Sequence, residues 1–168
     1  MDQESRDAAQ ALLDLCARKK LVLAVAESCT GGLLAATLTD IPGSSRVLDR
    51  GYVTYSNEAK QQIGVSAATL ERYGAVSRET AEAMAKGVLA NAPVTLSAAV
   101  TGIAGPDGGT PEKPVGLVHF AVAASRSGKL IHHEHRYGEI GRANVRRLSV
   151  LRAIAMLRDL AAGEDFTN

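Results

Sequence analysis

Residues 25–34 read VAESCTGGLL, and they lie between one apolar run, LVLAVA (21–26), and another, LLAATL (33–38). The first run is short and uninterrupted, the pattern of a strand buried on both faces. The second runs to about Asp40 and is stopped by Ile41, Pro42 and Gly43, as a helix would be. Glu27, Ser28, Cys29, Thr30, Gly31 and Gly32 therefore fall where a strand hands over to a helix. Two readings of this turn are open. Ser28 is either the N-cap of the helix, with glycines for close packing, or a nucleophile beside amide groups that have no intrahelical partner. Such amides form an anion cradle or an oxyanion hole. No G-x-S-x-G elbow is present to decide between the readings.

Outward from this unit the chain alternates strands and helices. Ala8, Ala9, Leu12, Leu13 and Cys16 recur at helical spacing and predict a helix over about 7–18, ended by Arg18, Lys19 and Lys20. VLDRGYVTYS (47–56) predicts a second strand, and a short helix follows over Glu58 to Ile63. Ser66 caps a helix that closes at Gly74, and Ser77 caps a longer one that ends before Pro93. TLSAAVT (95–101) is a third strand leading into GIAGPDGGTPEKP (102–114), a loop long enough to be functional. VGLVHFAVAA and KLIHHEHRY, separated by SRSG, form an antiparallel hairpin. A final helix from Arg142 to about Leu160 buries Val145, Leu148, Leu151, Ile154, Ala155 and Leu157, and the tail GEDFTN is expected to fray. The sum is an α/β chain: a three-layer α/β/α sandwich around a mixed, mainly parallel sheet of about five strands.

Composition excludes several classes. The 168 residues suit one domain, 1–168, that buries about two-thirds of its unfolded surface. Nineteen basic and eighteen acidic residues leave a net charge of +1, and aromatics are 4% with no Trp, so neither a field nor stacking platforms recruit nucleic acid. No apolar run reaches the roughly 18 residues of a membrane span, and the start, MDQESRDAAQ, is acidic where a signal peptide is basic. Cys16 and Cys29 are too few for a disulfide framework, which fits a reducing cytoplasm. No metal or redox cofactor is implied.

A serine nucleophile needs a base. His119, His132, His133 and His135 all fall in the last two strands, where His133 and His135 share a side; a metal pair and a polar strand face are the two readings of that spacing. Lys60, just past the second strand, is the better base, although a lone lysine is ordinarily solvated.

AESCTGGLLAATLTDIPGSS, GYVTYSNEAK, GAVSRETAEAMA, AVTGIAGPDGGTPEKPVGLV and GRANVRRLSVLRA together closely resemble the CinA C-terminal domain (competence/damage-inducible) family, over about residues 8–160. The chain departs from the family pattern at Leu117, where threonine is expected, and at Asp107, where glycine is common. The resemblance implies a nicotinamide mononucleotide deamidase, an intracellular homo-oligomer without the N-terminal pyrophosphatase domain of longer CinA proteins. It implies Ser28 as nucleophile with Tyr55 and Lys60 as activating partners. It also implies a nucleotide site lined by Glu27, Thr30, Gly31, Gly32, Thr101, Gly102, Gly105 and Thr110, with Arg142 and Arg146 for the 5′-phosphate or the catalytic cluster. A non-catalytic nucleotide- or partner-binding module linked to competence or DNA damage is the alternative.

The chemistry suits these residue types. Lys60 accepts the proton of Ser28 only as a neutral amine, and bringing a lysine pKa from about 10.4 to near 7 costs about 4 to 5 kcal/mol. Burial or a neighbouring cation supplies that, while a close Glu27 carboxylate opposes it. Glu27 is therefore expected to hydrogen-bond backbone or ribose hydroxyls. Tyr55 is expected to bridge Ser28 and Lys60, and Cys29 is the rival nucleophile.

Overall fold

The computed structural model describes residues 1–164. Five strands, β1 (Leu23–Glu27), β2 (Leu48–Val53), β3 (Leu96–Gly102), β4 (Leu117–Ala124) and β5 (Leu130–Arg136), form one sheet in the order β2-β1-β3-β4-β5. β1 pairs parallel with both β2 and β3, and β4 pairs antiparallel with β3 and β5. Four of the five strands thus run the same way, and only β4 opposes them. The helices are α1 (Gln3–Arg18), α2 (Leu33–Thr39), α3 (Asn57–Gln62), α4 (Ala67–Tyr73), α5 (Arg78–Asn91) and α6 (Arg142–Ala162).

The two faces of the sheet are chemically unequal, and this decides which helices cover them. Leu23 and Val25 of β1, Leu96, Ala98 and Val100 of β3, and Val118, Phe120 and Val122 of β4 face one way, where they pack with α1, α2 and α6. Ala24, Ala26, Ala99, Ala121 and Ala123 face the other, against Met84, Ala85 and Val88 of α5. The small residues let α5 lie close to the strands, and Ser97 Oγ reaches the Ala85 carbonyl at 2.8 Å. Ile63, Val65 and Leu70, from α3, α4 and their connection, extend this second layer.

Local signals account for the ends of most elements. Ser56, Ser66 and Ser77 each accept a backbone N–H from the first turn of α3, α4 and α5. The first helix begins a turn earlier than its apolar spacing predicts, because the Asp2 side chain accepts from Ser5 N at 2.8 Å. α6 turns Ser149, Val150, Ala153 and Met156 inward where Leu148, Leu151 and Ala155 were expected, so its inner face is partly polar. In the tail, Glu164 is 3% exposed and takes a hydrogen bond from Ser127 Oγ, contrary to the fraying expected there; residues 165–168 lie outside the described residues. Among the described residues no helix is long and apolar enough to cross a membrane.

Gly87 marks the tightest contact of the α5 layer: a Cβ there would lie 1.8 Å from the Ile63 carbonyl oxygen. Glycine inside a helix ordinarily costs about 1 kcal/mol relative to alanine. Here the sign reverses. Gly87→Ala is expected to destabilise the protein by about 1 to 3 kcal/mol, measured by chemical denaturation, because the α3–α4 connection must shift to admit the methyl group.

Candidate active site

Past the end of β1, Ser28 continues the ladder by donating its amide to Val100 O (2.9 Å), and past β2, Thr54 donates to Glu27 O (2.8 Å). These residues stand at the carboxyl ends of the parallel strands, the edge at which open α/β sheets take ligands. β2 then turns into α3, which directs Lys60 inward. Lys60 is 1% exposed, and its Nζ donates to Thr54 O at 2.7 Å and to Ser28 Oγ at 3.0 Å.

Neither partner of this amine carries charge. Burial holds the Lys60 pKa below the usual lysine range, with a smaller opposing effect from Cys29. That opposition needs an ionised Cys29, whose thiol burial pushes up to about 12, so it is absent at neutral pH. In the neutral amine, one N–H remains on Thr54 O and the lone pair is free to accept the Ser28 hydroxyl proton.

Glu27 is occupied elsewhere. Its Oε2 accepts from Gly32 N (3.1 Å) and Leu34 N (2.9 Å), and its Oε1 accepts from Ala35 N (2.8 Å). The residue is 1% exposed, so its oxygens serve the start of α2 and not a ligand, which corrects its assignment as a substrate contact. The same contacts exclude Ser28 as the cap: the N-cap position is Gly32, with φ 93°, and it has no side-chain hydrogen bond. The cradle at α2 is filled from within. Gly31 N donates to Ser28 O (3.0 Å), which leaves the amides of Cys29 and Thr30 without an acceptor among the described residues. Of the two, Cys29 lines the cavity whereas Thr30 is fully buried outside it, so the Cys29 amide is the donor available to a developing oxyanion.

A cavity of about 270 Å³ opens over Ser28 and Lys60. Cys29 and Tyr55, Ala75 and Val76 between α4 and α5, the stretch from Gly102 to Gly108, and Arg142 at the start of α6 form its walls. Thr101 Oγ1 fixes one wall by donating to Ala75 O (2.7 Å), and Lys113 Nζ fixes its neighbour by donating to Tyr73 O (2.6 Å). Another hollow, of about 290 Å³ between α1, α2 and α6, contains no such nucleophile and base.

The chain has counterparts among known proteins. The model of the CinA C-terminal domain matches residues 5–161. The chain belongs to that family. It is 52% identical over 152 residues to a putative competence-damage inducible protein of Acetivibrio thermocellus, a match covering 90% of this chain and 35% of that protein. The corresponding Thermoanaerobacter pseudethanolicus protein is 46% identical over 166 residues, covering 97% and 38%. The chain thus spans little more than a third of the length of these curated relatives. The crystal structure of the competence/damage inducible protein CihA from Agrobacterium tumefaciens superposes with a TM-score of 0.93 at 48% identity, covering 95% of this chain and 97% of that one. Competence damage-inducible protein A from Klebsiella pneumoniae gives 0.90 at 32% identity, covering 96% and 99%.

Of the residues singled out in the sequence of this CinA-family domain, Ser28, Lys60, Tyr55, Gly102, Gly105 and Arg142 meet at the cavity. Tyr55 does not bridge nucleophile and base, which touch each other directly. It is 59% exposed at the rim, and its hydroxyl accepts from Arg142 Nη2 (3.0 Å). Arg142 Nη1 donates to Gly105 O (3.0 Å), where a φ of 79° and Val115 at 2.6 Å from any added Cβ call for glycine. Thr101 is fully buried with its hydroxyl spent on Ala75, so it shapes the wall without facing the cavity. Thr110 borders a separate hollow on the outer side of the loop, and its hydroxyl accepts from Lys113 N. Thr30, Gly31, Gly32 and Arg146 do not line the cavity, so of the two arginines assigned to the 5′-phosphate or the catalytic cluster only Arg142 reaches it.

The sequence reading missed the Thr54 carbonyl, which acts through the backbone and leaves no side-chain signal, and the Ala75–Val76 wall, which lies inside GAVSRETAEAMA. His133 and His135 do not form a metal pair: His133 contacts Arg152, and the His135 ring lies 4.2 Å from that of Tyr137.

The buried amine has a consequence for stability. An unfolded Lys60 keeps its proton up to about pH 10. The folded residue releases it at lower pH, so unfolding takes up a proton between the two values and stability from this group rises with pH across that window. Lys60→Met, which removes the desolvated amine, is expected to melt at or above the wild-type temperature at pH 7, with its advantage shrinking as pH approaches 10.

Proposed function

We propose that this protein is a serine amidase that hydrolyses the carboxamide of nicotinamide mononucleotide to nicotinic acid mononucleotide and ammonia. The observation that carries the reading is the Lys60 amine, buried without a carboxylate partner 3.0 Å from Ser28 Oγ. A module that only binds nucleotide has no use for a desolvated amine aimed at a hydroxyl. Family resemblance supplies the substrate, and the cavity suits it: Arg142 presents a cation and Asp107 a carboxylate, matching a ligand that carries both a phosphate and a pyridinium ring.

In this scheme neutral Lys60 takes the Ser28 proton as Oγ attacks the amide carbon. The Cys29 amide receives the oxyanion. Collapse of the tetrahedral species breaks the C–N bond, and the Lys60 ammonium returns the proton to departing ammonia. Water then attacks the acyl ester with Lys60 again as base, releasing the acid and restoring the Ser28 hydroxyl. The 5′-phosphate lies toward Arg142, whose partners Tyr55 and Gly105 are both neutral and leave its charge uncompensated.

Incubation of purified protein with nicotinamide mononucleotide is expected to release ammonia, and Ser28→Ala is expected to abolish release while keeping its melting temperature. Turnover in that variant comparable with wild type would defeat the assignment. Arg142→Met is expected to raise KM by about 10- to 100-fold with a smaller change in kcat, the loss of a charge-assisted contact made in ground and transition states alike. On the acid side, kcat/KM is expected to rise with pH as Lys60 gives up its proton; Lys60→Arg, which stays charged, loses that limb together with activity.

A further inference from the structure

Arg146 occupies an unusual place. Its Nη2 donates to Thr30 O at 2.8 Å, and its Nε is buried without a hydrogen-bond partner among the described residues. Its neighbours on α6 behave differently: Arg147 pairs with Asp2 and Glu4, and Arg142 lines the cavity. Among the described residues no carboxylate pairs with Arg146. A half-buried guanidinium without a counter-charge costs stability, so packing alone does not explain it.

What it touches is the nucleophile turn. Thr30 O accepts from both Arg146 and Leu33 N (3.1 Å), while Thr30 Oγ1, fully buried, has no partner and cannot hold the residue by its side chain. Gly31, at φ 57°, brings the backbone so close that an added Cβ would lie 3.7 Å from Arg146 Nη2. The carbonyl that Arg146 holds belongs to the Thr30–Gly31 peptide, whose amide donates to Ser28 O at 3.0 Å, so the guanidinium braces the turn that carries Ser28. Its field reaches the cavity side of the turn, where with Arg142 it opposes the effect of burial on the Cys29 thiol.

We propose that Arg146 is a positioning residue of the reaction: it holds the Thr30–Gly31 peptide, and through that peptide's amide the Ser28 carbonyl, so that Ser28 and the Cys29 amide keep their place at the reacting centre, and it places a fixed positive charge behind them. This rests on the reading of Ser28 as nucleophile and not on the identity of the amide. The role is distinct from that of Arg142, which meets the ligand.

The test uses a fluorophosphonate ester, which needs only an activated serine and an oxyanion site. Ser28 Oγ attacks phosphorus, fluoride leaves, and Lys60 takes the hydroxyl proton. Labelling of Ser28 in the full chain is followed by intact mass, with Ser28→Ala as the blank. Arg146→Met is expected to slow labelling by at least about tenfold, as for the loss of an oxyanion donor, while melting no lower than wild type. Arg147→Met is expected to label within about twofold of wild type, since Arg147 pairs with Asp2 and Glu4 and lies outside the cavity. Arg146→Lys, which keeps the charge and loses the planar fork, is expected to fall between wild type and Arg146→Met. Wild-type labelling by folded Arg146→Met overturns the proposal, and so does equal slowing by Arg147→Met. If Arg146→Met does not fold, Arg146→Lys decides: slowed labelling supports the role, and a wild-type rate overturns it. A wild-type chain that is never labelled removes Ser28 as nucleophile and this role with it. One that is labelled but releases no ammonia from nicotinamide mononucleotide removes only the substrate, and the labelling rates still decide on Arg146.

Discussion

A lysine amine buried against a backbone carbonyl and a serine hydroxyl, with no carboxylate beside it, is the constraint around which the site is organised. The parallel pairing of β1 with β2 brings Ser28 and Thr54 together, and α3 returns the chain so that Lys60 reaches both. Each partner is neutral, so burial acts on the amine almost unopposed. Were the adjacent Glu27 free to turn toward it, an ion pair would raise the lysine pKa and quench the base. Binding the carboxylate to Gly32, Leu34 and Ala35 prevents this and starts α2 without a side-chain cap at the N-cap position. One glutamate thus serves helix initiation and the electrostatics of the base together.

α6 divides the work of its first turns in a similar way. Arg142 and Arg146 are one helical turn apart, yet Arg142 goes to Gly105 O and Tyr55 at the cavity and Arg146 to Thr30 O. Only Arg142 lines the cavity. Helical periodicity fixes which side chains share a face. It does not fix which backbone each one meets.

The same distinction explains how much was legible beforehand. The element order, the mixed sheet and the hairpin followed from apolar runs, serine caps and glycine-proline breaks, because those signals are local. Ser28 and Lys60 were separate candidates on local grounds and were joined as a pair only through family resemblance, since their contact joins residues 32 apart in sequence. Thr101 and Tyr55, which the resemblance placed at the ligand and beside Ser28 and Lys60, spend their hydroxyls on Ala75 and Arg142, and of the two partners expected for Glu27 it is the backbone, at the start of α2, that takes the carboxylate. Where a side chain spends its hydrogen bonds depends on tertiary neighbours, and a motif does not carry those.

The choice of serine over the adjacent cysteine follows from the same geometry. A thiol is intrinsically the better nucleophile, and a helix start next to two arginines is a setting that ordinarily lowers its pKa. Cys29 nonetheless is 5% exposed, and burial outweighs both arginines, pushing its thiol up to about 12. The thiolate is then negligible at neutral pH, and the amine 3.0 Å from Ser28 Oγ has its hydrogen bonds to Ser28 and Thr54. In the proposed reaction burial suits Lys60 to be the base because the form it favours, the neutral amine, is the reactive one. It silences Cys29 because there the favoured neutral form is the inert one. A single low-dielectric pocket thereby selects the residue with the weaker intrinsic nucleophilicity, and the selection holds as long as water stays out of the space between α3 and the turn.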